Sequence, residues 1–348
     1  MKNLIYKFIG IFILAGSLGM GWLMMEYNHF VETPINVAAE GLHFEIVKGD
    51  TLKKVSHKLY QQGVLVNPYY LVWMAKFHGS ANQIKKGEYL FENGSTPVQL
   101  LKKIVSGEVI EYSATIIEGM TFREMMSALN ENQYLEHTLK GLKPKAIMAK
   151  LGHPDQHPEG RFLPDTYHFP RGTTDVEFLQ RAYRAMEEFV NAQWENREVG
   201  TPLKSPYDAL ILASIVEKET AVPEERGMIA GVFTRRLQKH MRLQTDPTVI
   251  YGLGEKFDGN LRRRDLVNDT PYNTYRHNGL PPTPIAMPGR DAIKAAINPE
   301  PGDELYFVAK GNGTHIFTSN LRDHNNAVIK YQLKGKRKPF SSMPGHRK

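Results

Sequence analysis

The chain has 348 residues, 44 lysines and arginines against 37 aspartates and glutamates, a formal charge of +7, and 41% apolar residues. That length suggests about two domains, and the apolar content builds a sizeable core, which excludes collagen-like, coiled-coil, mostly disordered and polytopic membrane classes. The absence of cysteine excludes thiolate zinc sites, thiol nucleophiles, disulfides and the acylated cysteine of a lipoprotein.

From Phe8 to Met25 the sequence runs 18 residues without a charge, close to the ~20 that a helix needs to cross the hydrocarbon core. Lys2 and Lys7 precede this run, and Glu26, His29 and Glu32 follow it. The positive-inside bias therefore makes residues 1–25 a cytoplasmic N-terminus and a single transmembrane helix, with the body exported. A cleaved signal peptide using Ala15, Gly16 and Ser17 is the alternative, opposed by the apolar run that continues through Leu18, Met20 and Trp22. Residues 26–42 carry a proline and no sustained period, and read as a linker.

Residues 43–110 predict a small βααβ domain. Phe44–Val47 favours a strand, Gly49-Asp50 makes a turn with Asp50 as N-cap, and Leu52, Val55, Leu59 and Tyr60 recur at helical spacing. Gly63 ends that helix, Pro68 opens another, and Ile84–Phe91 reads as a turn into a closing strand. The stretch FEIVKGDTLKKVSHKLYQQG resembles a LysM-like module, which implies a grip on N-acetylglucosamine polymers. A βααβ support domain that holds no sugar fits the same pattern. Thr96-Pro97 caps a further amphipathic helix that Gly107 stops, and a β-rich link at Glu111–Glu118 opens the larger region, residues 111–333. The basic segment 334–348 lacks an apolar face and reads as a solvated tail rather than a nucleic-acid arm.

The chemistry belongs to the larger region, expected to fold as a second α+β domain. It contains no HExxH, Walker loop, GxSxG elbow or GxGxxG after a strand. His153 and His157 stand four apart, but Pro154 and Pro158 break the helix that a metal pair would need, so both read as loop residues and no metal or cofactor is expected. Gly311-Asn312-Gly313 reads as a hairpin turn.

One helix stands out. Ser205-Pro206-Tyr207-Asp208 is a helix start, and Pro223 stops the run after Val222. At about 100° per residue, Ile211, Leu212, Ile215 and Val216 share a face with Glu219, while Glu217 falls almost opposite, beside Leu210, Ala213 and Ser214. A carboxylate on an apolar stripe is costly to ionise, so Glu219 is expected to have a raised pKa suited to general-acid work, and Glu217 to be a polar-face or supporting residue. By spacing alone, a solvent-exposed helix end, or an ion pair with an arginine, is the plainer reading of Glu219.

The segments ASIVEKETAVPEERGMIAGVFTRRL, MRLQTDPTVIYGLG, PYNTYRHNGLPPTPIAMPG and EGRFLPDTYHF resemble the endolytic murein transglycosylase family, also called MltG or YceG-like. The resemblance implies a single-pass inner-membrane protein with a periplasmic catalytic domain. It also implies internal cleavage of peptidoglycan strands by one glutamate, and partnership with penicillin-binding proteins. In such enzymes the glutamate is followed by Ser or Thr, which matches Glu219-Thr220. The reaction implied is non-hydrolytic: the 6-hydroxyl of N-acetylmuramic acid attacks intramolecularly and leaves a 1,6-anhydro end, so one acid suffices where hydrolases use two carboxylates. Gln244, Asp246 and Thr248, with Tyr272, Asn273, Thr274 and Tyr275, supply candidate sugar contacts. Capping by Asp246 and core tyrosines are the plainer reading. Pro281, Pro282 and Pro284 are expected to wall the cleft, with Asp165 a weaker candidate for it. Two rivals remain open: a muramidase-type hydrolase, with Asp246 as second carboxylate, and a noncatalytic glycan-binding or synthase-scaffolding protein.

Overall fold

The computed structural model describes residues 2–197 and 200–333; the expected basic tail, 334–348, lies outside them. The fold is mixed α+β, and its described residues divide into two compact units. One runs to Tyr112 and regains His168–Thr173, and the other comprises Ser113–Tyr167 and the chain from Thr174 on. The division falls at 112/113, two residues beyond the expected boundary, with one short return.

The first unit opens with helix α1, Lys2–Glu32, whose side chains are exposed from Ile5 through Met25. It is long and apolar enough to cross a membrane. The helix continues past Met25, so residues 26–32 are helical, not linker. The reason is packing: Phe30 is buried, and with Ile35 joins the core of this unit. Strand β1 (Leu42–Ile46), α2 (Leu52–Gln61), α3 (Pro68–Phe77) and β2 (Gly87–Phe91) follow in βααβ order, with β1 and β2 antiparallel. Thr51, not Asp50, caps α2 by accepting from the Lys54 N–H. Asp50 instead accepts from the Val47 N–H and pairs with Lys54 and Lys58, which hold its carboxyl down at about 2. Helix α4 (Pro97–Ser106) carries a Thr96/Gln99 capping box and ends at left-handed Gly107. Its Leu100 and Ile104 close a core with Val55, Leu59, Leu71, Tyr89 and Phe91.

The second unit is mostly helical. Strand β3 (Glu111–Ile116) leads to α5 (Phe122–Asn130), β4 (Leu135–Glu136) and α6 (Pro144–Leu151), then β5 (Asp165–Pro170), β6 (Thr173–Thr174) and α7 (Asp175–Glu195), with β3, β5 and β6 each falling partly in the first unit. His153 and His157 lie in the loop after α6. The central element is α8, Pro206–Glu219, opened by Ser205 accepting from the Asp208 N–H. It packs against α7, α9 (Arg226–Gln238), α10 (Asp246–Leu253) and α12 (Arg290–Ile297), while α11 is a short turn at Arg263–Leu266. Small residues make that crowding possible: Ala209, Ala213, Ala230, Ala292 and Ala296 are fully buried where helices meet. Strands β7 (Tyr306–Ala309) and β8 (His315–Thr318) form an antiparallel hairpin across Gly311-Asn312-Gly313, and α13 (Leu321–Tyr331) covers it.

Two expectations about α8 fail. Pro223 does not end it; the helix stops at Glu219, and Thr220 turns to extended backbone. Nor does it have a polar face, since every residue from Ala209 to Val216 is buried, including Leu210, Ala213 and Ser214. Helices surround it, so periodicity cannot distinguish inside from outside.

Candidate active site

The end of α8 creates the site. Because the chain leaves helical geometry at Thr220, Glu219 is the last residue of a buried helix, with its side chain partly open to solvent. It lies in the wall of a cleft of about 610 Å³. Dense surroundings push its carboxyl up to about 7. The Thr245 hydroxyl, which donates to Oε1, opposes the rise; the Asp246 charge adds to it, and those of His315 and Arg236 oppose it. Such a group holds a proton near neutrality and releases it readily.

A network of threonines fixes Thr245 against this carboxyl. Its N–H donates to Thr274 Oγ1 at 3.1 Å, Thr248 donates its hydroxyl to the Thr245 carbonyl at 2.8 Å, and Thr248 and Thr274 share a 2.9 Å hydrogen bond. Thr248 and Thr274 are thus buried beneath the cleft, where they support Thr245, and neither lines it. Asn273 is also buried: Nδ2 donates to the carbonyls of Leu266 and Asn268, and Oδ1 accepts from the Tyr275 N–H. It staples the loop that presents Tyr275. Tyr272 packs edge-on against Tyr251 and hydrogen-bonds Thr283, outside the cleft lining.

Gln244, Asp246 and Tyr275 do line the cleft with Glu219. Gln244 adopts φ of +52° at the turn into α10, an uncommon conformation for a residue with a side chain. Asp246 stands in the first turn of α10, where Thr245 is the N-cap, and accepts the Tyr275 hydroxyl at 2.6 Å. Glu217 serves a different place. Its Oε2 accepts from the Gly289 N–H at 3.0 Å, at the start of α12, and Arg226 stands 3.8 Å from its other oxygen. Burial raises its pKa too, but it joins α8 to α12 and does not line the cleft. Asp165 pairs with Arg290 at 3.3 Å, also away from the lining. Pro281 and Pro284 are buried and Pro282 is exposed, none of them lines the cleft, and the Ile285 N–H donates to Ser214, so this segment is a strut under α8.

The opposite part of the lining joins Arg236, from the GVFTRRL end of a segment that carries the resemblance, to residues from segments with no motif. Arg236 on α9 is buried, and its guanidinium donates to the carbonyls of Leu305 and Leu243, both at 2.7 Å. Tyr306, Phe307, His315 and His324 come from the β7–β8 hairpin and α13. The one signal available was that THIFTS follows a turn, which predicts the hairpin but not that His315 faces Glu219's cleft.

Residues 44–330 match the YceG-like family. An endolytic murein transglycosylase of Bacillus subtilis (strain 168) is 31% identical over 339 residues, covering 92% of this chain and 91% of the relative. Endolytic murein transglycosylases of two Streptococcus pneumoniae strains are 26% identical over 343 residues; the match covers 88% of this chain and 61% of theirs. A solved yceG-like protein of Listeria monocytogenes superposes with a TM-score of 0.53 at 29% identity, covering 83% of this chain and 99% of that one. The match to the family spans both units, including α8, the LQTDPT segment and the hairpin that build the cleft, and the chain belongs to the YceG-like family.

Proposed function

We propose that this protein is an endolytic transglycosylase of peptidoglycan. It cleaves the β-1,4 bond between N-acetylmuramic acid and N-acetylglucosamine within nascent strands, without water, and leaves 1,6-anhydro ends. The observation that carries this reading is one partly exposed carboxyl, poised at about 7, in a cleft large enough for a saccharide. Protonated Glu219 donates to the glycosidic oxygen as the bond to C1 breaks. The 6-hydroxyl of the same muramic acid closes on C1, and intramolecularity replaces the second carboxylate and water of a hydrolase. Glu219, ionised by that transfer, is stabilised by the Thr245 hydroxyl and is able to take the hydroxyl's proton.

Helix α1 is read as a single membrane span. The positive-inside bias of Lys2 and Lys7 before the apolar run supports a cytoplasmic N-terminus, with the chain beyond the span in the periplasm. Anchorage beside the site of synthesis suits a terminator of glycan polymerisation working with penicillin-binding proteins, and the LysM-like βααβ unit supplies a second hold on the strand. A muramidase-type hydrolase is favoured by one observation, that Asp246 lines the same cleft as Glu219.

Digestion of sacculi in heavy-oxygen water decides between them. The transglycosylase yields unlabelled anhydro ends, lighter than reducing ends by one water. Labelled reducing ends in the majority would establish hydrolysis, because water is then the final acceptor.

A further inference from the structure

His315 is built into the cleft with more support than a lining residue needs. Its backbone N–H donates to Glu225 Oε1 at 2.7 Å, and its ring Nδ1 stands 2.6 Å from Glu225 Oε2. Glu225 is itself buried, in the turn between α8 and α9. Burial alone would raise its carboxyl, but the two contacts from His315 and the charges of His315 and Lys310 hold it below the usual range. An ionised Glu225 keeps the proton on Nδ1 and fixes the tautomer, leaving Nε2 as the imidazole's remaining acceptor. Phe307 packs edge-on against the ring at 5.4 Å and sets its plane. The ring lines the cleft that holds Glu219, and its charge bears on that carboxyl.

Closing a 1,6-anhydro ring on a β-linked sugar sets the acid and base requirement. The new C1–O6 bond forms on the face from which the leaving oxygen departs, so the proton donor and the proton acceptor must stand on one side of the sugar. Glu219 and His315 line one cleft and are the candidates for that pair, and two groups spare one carboxylate from serving two oxygens in turn.

We propose that His315, oriented by Glu225, is the general base of this reaction, with Glu219 as the acid. The inference rests on the transglycosylase reading and assigns to His315 the second proton transfer, which ionised Glu219 would otherwise make. Nε2 takes the proton of the 6-hydroxyl while O6 bonds to C1. The C1–O4 bond breaks, and the departing oxygen takes the Glu219 proton. The enzyme is left as imidazolium and carboxylate, and passage of that proton back to Glu219 resets both without any co-reactant. Glu225 steadies the imidazolium as the carboxylate of a Ser-His-Asp triad does. The other charged or titratable groups facing the ring's surroundings are Arg236 from α9, Asp246 and Tyr275 across the cleft, and His324 from α13.

The test is kcat and KM on sacculi for the full-length protein, with product ends identified in each case. His315→Gln is expected to lower kcat by about 10²–10³-fold with KM within about threefold, and to leave residual products as anhydro ends. Glu225→Gln, which frees the ring's orientation, is expected to lower kcat by at least about tenfold with KM unchanged, and Glu225→Asp to recover part of the loss. A folded His315→Gln variant within threefold of wild type overturns the inference. If that variant does not fold, the Glu225 pair decides: a kcat loss that Glu225→Asp rescues supports the base role, and a Glu225→Gln variant within threefold of wild type ends it. Wild-type enzyme that yields labelled reducing ends defeats the transglycosylase reading itself, which a merely active His315→Gln variant does not.

Discussion

Two carboxyls in the second unit are pushed to about 7, one buried and one partly exposed, and they live in opposite surroundings. Glu159 is only 3% exposed; Oε1 accepts from the Phe122 N–H at 2.8 Å and Oε2 from the Tyr251 hydroxyl at 2.9 Å. Beside it, left-handed Gly160 lets Pro284 come so close that an added Cβ would lie 2.5 Å from that ring. Glu219 has the same proton affinity and one donor, but it opens on a cleft. Both rises have burial as their largest cause. Proton affinity alone therefore does not mark a catalytic acid; access for a polymer does, and Glu159 has none.

The sharpest way to break this comparison is to neutralise each carboxyl in turn. Glu219→Gln keeps the shape and removes the transferable proton, so kcat is expected to fall by at least ~10²–10⁴-fold. Glu217→Gln, which only loosens the join to Gly289, is expected to cost less than about tenfold, since a side-chain contact of this kind is worth about 1–2 kcal/mol. Turnover assays on purified sacculi measure both. An inactive Glu217 variant beside an active Glu219 variant, both folded, would move the acid to the wrong side of α8.

Glu159→Gln is expected to change stability instead. The carboxyl binds its proton more tightly folded, at about 7, than at its ordinary 4.5. The folded state therefore gains from this group below about pH 4.5, loses that gain as pH rises to 7, and loses nothing further above. The shift corresponds to about 3 kcal/mol as an upper bound. Denaturant unfolding at a series of pH values is expected to show wild type losing stability relative to Glu159→Gln across that window, with turnover within about threefold. Parallel curves would mean that Glu159 is solvated and the contrast with Glu219 false.

How much of this was legible in the sequence depends on distance along the chain. Local signals read well: the Thr96/Gln99 capping box, Pro206 in the first turn of α8 and the Gly311–Gly313 turn are each fixed by near neighbours. The motif ETAVPEE singled out Glu219, yet the helix-phase argument offered for it does not hold on a helix buried all round. The feature that matters is the helix end at Thr220, which no proline announces. Arg236 and His315 reach Glu219's cleft, and Thr245 reaches Glu219 itself, from other elements, with Thr248 and Thr274 buried behind Thr245. Burial on the far side of a loop has no periodicity to betray it.

Thr245→Val carries the smallest effect and tests the contrast most finely. The substitution removes the hydroxyl that donates to Glu219 and keeps the volume, while the Thr245 N–H still reaches Thr274. It costs α10 no cap bond, since the Thr245 side chain makes none. That hydroxyl favours the ionised carboxyl, and a hydrogen bond to a charged group is worth about 1.5–3 kcal/mol, so its loss raises Glu219 further. Activity requires the protonated acid and is expected to fall in wild type above about pH 7. In the variant this alkaline limb is expected to move up by about one unit, with kcat at its optimum lower by only a few fold because the carboxylate formed in the reaction has lost its donor. A limb that stays in place would show that water, not Thr245, governs Glu219, and would make the cleft wetter than its packing implies.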